Sequence, residues 1–292
     1  MSALARGAWA IEPRTALGLF PHVTNFMQGK PSPFMTKGEE SEQTKPFALS
    51  TTTVGKYDNY SMDVAPEGSI GVIPMSGVVM KYSGECGEPG TQAYANRIQR
   101  AINHKNISCI LLKVDSPGGM VDGTATLADI VKSSDKPIVA FVDDGMAASA
   151  MYWIISGATE IICSQKHDMV GSIGVYTTLA DFKGYYEALG LKVQDVYAPQ
   201  STEKNLSWRE WAEQNNDKLI KEELGFIATE FIAAVKENRN GKLNSSVDPF
   251  KGKIFYAPEA LKAGLIDGIG DFAYALQRAE KLSKQSLTFK LT

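Results

Sequence analysis

The chain has 292 residues, 43% hydrophobic and 22% charged, with a formal net charge of −3. This is an ordinary globular composition with room for one large domain or two modest ones. It provides no basic footprint for nucleic acid or an anionic membrane. Three cysteines, Cys86, Cys109 and Cys163, show no CxxC or metal-type spacing. Cys109 and Cys163 lie in apolar runs and read as buried small hydrophobes, compatible with a reducing compartment. No run approaches the ~18 apolar residues needed to span a bilayer, and Met1 to Ala10 make a poor signal peptide. Together these features point to the cytoplasm.

Residues 1–66 differ from the remainder. Leu17, Leu19, Phe20, Val23 and Phe26 have the spacing of one short amphipathic helix, and Gly29 to Asp63 is rich in Lys, Ser, Thr, Gly and Pro with little periodicity. Such a stretch buries too little surface to offset its ordering entropy. It is expected to be an N-terminal extension, flexible or ordered only in an assembly, ahead of a domain at 67–292. From Ser69 the pattern becomes regular. Strands are expected at 69–75 and 77–80, a helix at 91–103, a strand at 108–114 and a helix at 120–132. A strand at 137–142 and a helix at 148–156 follow, then strands at 160–163 and 173–176, a helix at 179–189 and a strand at 192–198. One long helical region at 207–238, a strand at 253–256 and helices at 258–263 and 272–282 complete the chain. Strands alternating with helices at this pitch argue for a mostly parallel α/β sheet wrapped by helices.

Two segments carry candidate chemistry. Asp115-Ser116-Pro117-Gly118-Gly119 and Gly145-Met146-Ala147-Ala148-Ser149-Ala150 each follow an apolar strand, and Ser149 falls at a helix start. A helix start concentrates unpaired N–H donors and positive dipole, which favour an oxyanion. Spacing alone leaves Ser149 either a nucleophile or a small residue packed in a tight connection. A serine nucleophile needs a base. The three histidines are His22, His104 and His167, and only His167, followed by Asp168, suggests a base with its orienter. The alternative is a lysine, which works as a base only when its amine is neutral. Composition does not choose among the lysines.

The motifs Asp115 to Gly119, Ala147 to Tyr152 and Gly171-Ser172-Ile173-Gly174-Val175, with the tail Gly252 to Ala257 and Ala260 to Gly270, resemble the signal peptide peptidase A family. That family belongs to the serine–lysine peptidases of the Clp protease and crotonase superfamily, and the resemblance runs from about Ser69 to about Leu282. It implies a Clp protease/crotonase-like fold of repeated ββα units and an endopeptidase working through an acyl-enzyme, without metal or other cofactor. Ser149 would be the nucleophile, and Ser172 would orient the lysine. The N–H groups of Gly119 and Ala150 would form the oxyanion hole. The base falls on Lys204, in Tyr197-Ala198-Pro199-Gln200-Ser201-Thr202-Glu203-Lys204, which lacks the family's Ser-Gly pair; Lys166 and Lys183 are the fallbacks.

Members that lack a membrane anchor resemble the head maturation proteases of tailed phages and prophages. By that analogy the substrates are capsid or scaffold proteins, the assembly is a homo-oligomeric ring, and the place of action is the host cytoplasm or the prohead. The other readings are a peptide-degrading or signal-peptide peptidase of a bacterium, a Clp-like degradative subunit, a crotonase-type acyl-CoA enzyme, and a non-catalytic scaffold with the same fold.

Overall fold

The structure, a computed structural model, describes residues 9–11, 44–53, 56–84 and 88–291. The helix expected at 17–26 and most of the N-terminal extension lie outside the described residues.

The main sheet is built around four parallel strands, β4 (Ser69–Ser76), β5 (Ile107–Ser116), β7 (Ile138–Ala148) and β8 (Glu160–Cys163). β5 carries the unbroken apolar run Cys109 to Leu112 because both of its faces are covered there, as expected of a central parallel strand. Ile110, Leu112 and Val114 face one core, and Cys109 and Leu111 face the other. Helix α1 (Thr91–Asn103) buries Tyr94, Ile98 and Ala101 from one stripe, and α2 (Thr124–Lys132) buries Leu127, Ala128 and Val131. The opposite core is closed by α8 (Phe272–Leu291), whose Phe272 meets Phe141 edge-on with ring centroids 5.5 Å apart. Burial pushes the Cys109 thiol up to about 12 and raises Cys163 as well, so both remain protonated packing residues.

Part of the stretch assigned to the extension is built into this sheet. Strands β2 (Phe47–Thr53) and β3 (Lys56–Ser61) form an antiparallel pair, and β2 adds antiparallel to β4. Ala48 is fully buried and Leu49 nearly so. Among the described residues the main sheet therefore reaches back to Phe47, twenty residues before the boundary read from composition. This polar stretch is ordered because β4 offers it an edge, a long-range contact that local periodicity does not report. Farther upstream, β1 (Trp9–Ile11) pairs antiparallel with the short strand β6 (Gly118–Met120) as a separate two-stranded sheet.

Other expected elements shifted where tertiary partners decided. Residues 77–80 form no strand, and Val79 makes a single parallel bridge to Gly119. The strand expected at 173–176 lies earlier, as β9 (Met169–Gly171), which pairs with the end of β7 and with β10 (Ile254–Tyr256). Helix α4 is short (Lys183–Ala188), and 192–198 forms no strand, since among the described residues no strand pairs with it. The long helical region divides into α5 (Leu206–Gln214) and α6 (Lys218–Asn238), separated at Asn215, where φ is 52°. Helix α7 (Ala257–Ala263) and strand β11 (Gly268–Ile269), parallel to β8, complete the domain.

The fully buried Arg239 anchors this last region. Its guanidinium donates to the Gly264 carbonyl at 3.0 and 2.8 Å and to the Asp267 carboxylate at 2.8 and 3.2 Å. Burial alone would raise the Asp267 carboxyl, but its bonds to Arg239 and Lys242 hold it below the usual range. The pair therefore stabilises the fold above the ordinary carboxyl pKa, and that contribution is lost as pH falls through the depressed folded value. Asp267→Ala strands a buried guanidinium and should cost about 3–5 kcal/mol in urea denaturation at neutral pH. The gap to the unsubstituted protein should narrow on acidification.

Candidate active site

Ser149 stands where β7 turns into helix α3 (Ala150–Ile155), with φ 56° and ψ −119°. A non-glycine residue held at positive φ is a strained position, costing on the order of 1–3 kcal/mol, and such strain collects at functional sites. It is the backbone form of a strand-to-helix nucleophile elbow. The surroundings over-determine it. The Ser149 N–H donates to the Gly171 carbonyl at 2.7 Å, and the Ser149 carbonyl accepts from the Trp153 N–H at 2.9 Å. All six residues of α3 are buried. Trp153 stacks on Phe231 at 4.7 Å, and the Tyr152 hydroxyl donates to the Leu265 carbonyl at 2.8 Å. Burial raises the Tyr152 phenol, which keeps it protonated as a donor.

The approach to Ser149 is shaped by one close contact. Asp115 accepts the Met146 N–H at 3.1 Å, and a Cβ at Gly145 would lie 2.2 Å from the Asp115 carboxylate. A side chain at 145 would therefore displace the Asp115 carboxylate from the Met146 N–H, near the point where the register of β5 and β7 shifts between Val114 and Ser116.

The glycine pair is pinned just as closely. The Ser116 hydroxyl donates to the Gly77 carbonyl at 2.6 Å and accepts from the Gly118 N–H at 3.2 Å. Val79 donates to the Gly118 carbonyl and accepts from the Met120 N–H, both at 2.8 Å. Groups on a strand alternate between its two edges, so the Gly119 N–H and C=O face the other edge, where β1 runs. A Cβ at Gly119 would sit 2.0 Å from the Val79 carbonyl oxygen, so this glycine is required by close approach. Helix geometry leaves the Ala150 N–H without an intrahelical acceptor.

Ser172 has φ 50° and is 8% exposed; its N–H donates to the Lys253 carbonyl at 2.8 Å. It directly follows Gly171, the residue bonded to Ser149. Thus Ser149, Ala150 and Ser172 gather around the joined ends of β7 and β9, with the glycine strand β6 packed against α3.

Lys204 is placed differently. It lies exposed in the turn before α5, its N–H bonded to the Ser201 carbonyl at 3.2 Å. Among the described residues Ser149 is bonded to Gly171 and Trp153 and not to Lys204, and the fallbacks Lys166 and Lys183 are exposed as well. An open groove of about 450 Å³ adjoins the Lys204 turn, lined by Glu203, Leu206, Leu219, Glu222 and Glu223, and Ser149 is not part of its lining. The histidine alternative pairs otherwise than its sequence suggests. The His167 Nε2 meets Asp144 at 2.8 Å, whereas the buried Asp168 accepts from the Ser164 hydroxyl and the Gln165 N–H, both at 3.0 Å. Asp144, His167 and Asp168 form the one group of metal-type ligands among the described residues, their ligand atoms within 4.8 Å of one another. Hydrogen bonds engage Asp144 Oδ1, His167 Nε2 and Asp168 Oδ2, whereas the buried Asp168 Oδ1 has no partner.

A mostly parallel sheet covered on both faces, with a strained serine at a strand-to-helix elbow facing a glycine strand, defines the Clp protease/crotonase class. The family model for Clp protease matches residues 85–165, and that for Peptidase family S49 matches residues 130–286, more than half of the chain. The chain belongs to peptidase family S49. It is 30% identical over 66% of its length to protein MJ0651 of Methanocaldococcus jannaschii, which carries a protease name, covering 62% of that protein. It is 33% identical to the capsid assembly protease C of Escherichia phage lambda, over 44% of this chain and 30% of that protein. A solved structure of a membrane-bound stomatin-specific protease is 19% identical, with 74% of this chain and 86% of that one covered and a TM-score of 0.46. The chain spans less than two thirds of the curated relatives it matches. Among the described residues no helix is long and apolar enough to cross a membrane.

Proposed function

We propose that this protein is a serine endopeptidase in which Ser149 attacks the peptide carbonyl and Lys204 serves as the base. Ser172 orients the lysine amine, and the Gly119 and Ala150 N–H groups stabilise the oxyanion. The observation that carries the reading is the Ser149 backbone, held at positive φ at the head of a fully buried helix in a chain of family S49. The direct test is a fluorophosphonate probe followed by peptide mapping. Label on Ser149, with cleavage of an unfolded protein substrate, is expected; an unlabelled protein would instead be a scaffold that keeps the fold.

Removing the glycine at 119 tests the oxyanion assignment. Gly119→Ala drives a methyl into the Val79 carbonyl, so β6 must shift and carry its N–H off target. The expected loss is on the order of 10²-fold or more in kcat, with about 1–3 kcal/mol of stability from the overpacked contact. A variant with unchanged kcat would remove Gly119 from the site.

The region between Phe182 and Val196 supports a homo-oligomer. Tyr185, Leu189, Leu191, Val193 and Val196 are exposed there, Val196 at 86%. A large uncovered apolar patch marks an interaction surface. Covering this arm with another copy would also strip water from the neighbouring Lys204 turn, which a neutral lysine base requires. Capsid or scaffold processing during phage head maturation, in the host cytoplasm or the prohead, is the biological setting we favour, on the likeness to the lambda capsid protease.

A further inference from the structure

We propose that the chain carries its own resident competitor for the peptide-binding edge of the active site, the strand Trp9–Ile11. The proposal rests on the peptidase reading above and adds to it an occupant. Strand β1 lies antiparallel on β6 with Trp9 opposite Met120, Ala10 opposite Gly119 and Ile11 opposite Gly118. The inner edge of β6 is already closed by Val79, and the Gly118 N–H is spent on the Ser116 hydroxyl. Of the three residues of β6, Gly119 is therefore the one whose N–H and C=O face outward, and both face Ala10.

An extended substrate binding by strand addition needs that same edge, because main-chain hydrogen bonds supply its affinity. It also needs the Gly119 N–H for its scissile carbonyl under the oxyanion assignment. One edge holds one strand, so β1 and substrate exclude each other. β1 is well suited to yield. It is three residues long and belongs to a two-stranded sheet of its own, so its departure leaves the main sheet intact. Being part of the same chain, it competes at an effective concentration on the order of millimolar. Against a strand of millimolar intrinsic affinity, that occupancy raises the apparent KM by roughly 2- to 10-fold.

The test uses the full chain with Ala10→Pro, which deletes the N–H that faces the Gly119 carbonyl and leaves every proposed catalytic group chemically unchanged. For an unstructured peptide substrate, KM should fall by roughly 2- to 10-fold with kcat unchanged, and fluorophosphonate labelling of Ser149 should accelerate in parallel. A synthetic peptide of residues 5–15, added to the variant, should raise KM again without altering kcat, whereas the same peptide with proline at its Ala10 position should not. The added peptide also tests the unsubstituted protein should the variant fold poorly. Equal KM and equal labelling rates, with no competition by the peptide, would overturn the proposal while leaving the peptidase intact. Absence of Ser149 label from both proteins would remove the peptidase reading itself, and with it this inference.

Discussion

Replacing Ser149 by alanine should abolish peptide-bond cleavage, lowering kcat by on the order of 10⁴- to 10⁶-fold, the range for removing a serine nucleophile. The fold should be unaffected. Serine and alanine bear the same strain at φ 56°, and the anchors of the elbow are backbone bonds to Gly171 and Trp153 together with the buried faces of Tyr152 and Trp153. The informative result is a pair of measurements: an unchanged unfolding midpoint and a lost fluorophosphonate label. Retained cleavage by a clean preparation would end the serine-peptidase reading, because the described residues offer no other serine at a comparable elbow.

Lys204→Ala should be nearly as damaging, and combining it with Ser149→Ala should add little. Nucleophile and base act as one unit, so their losses do not sum. Lys204→Arg should not rescue, since a guanidinium stays protonated at any working pH. In the unsubstituted protein kcat/KM should climb with pH as the fraction of neutral amine grows. The structure sharpens this expectation because the Lys204 turn is exposed in the single chain. Activity should therefore depend on protein concentration, rising as copies associate and cover the arm around Tyr185 to Val196. Full activity in the monomeric range, or a dead His167→Ala beside an active Lys204→Ala, would assign the base elsewhere.

Much of the core was legible because its signals are local. The stripe Tyr94, Ile98 and Ala101 repeats at helical spacing, and α1 spans the expected residues. The stretch expected as a strand at 108–114 holds the unbroken apolar run Cys109 to Leu112, and it became a strand covered on both faces. The position of Ser149 at a helix start was also legible, from small residues preceding a strongly apolar hexapeptide. The 192–198 stretch misled for the complementary reason. Lys192 to Ala198 was expected as a strand, but a strand needs a neighbour for its hydrogen bonds, and among the described residues none pairs with it.

By itself the sequence determined the fold class, the family resemblance, and the identity of the serine and glycine motifs, since these rest on short-range pattern and residue type. Tertiary structure alone decided that Phe47 to Leu49 join the sheet, which partner His167 takes, and which edge of the glycine strand faces β1. Each of these depends on contacts between residues far apart in the chain. Phe47 to Leu49 are ordered by the edge of β4, His167 is drawn to Asp144 across a loop, and Gly119 is turned outward because Val79 claims the groups on either side of it. Hydrogen-bond groups must find partners wherever the chain places them, and no local window of sequence records which distant segment will provide them.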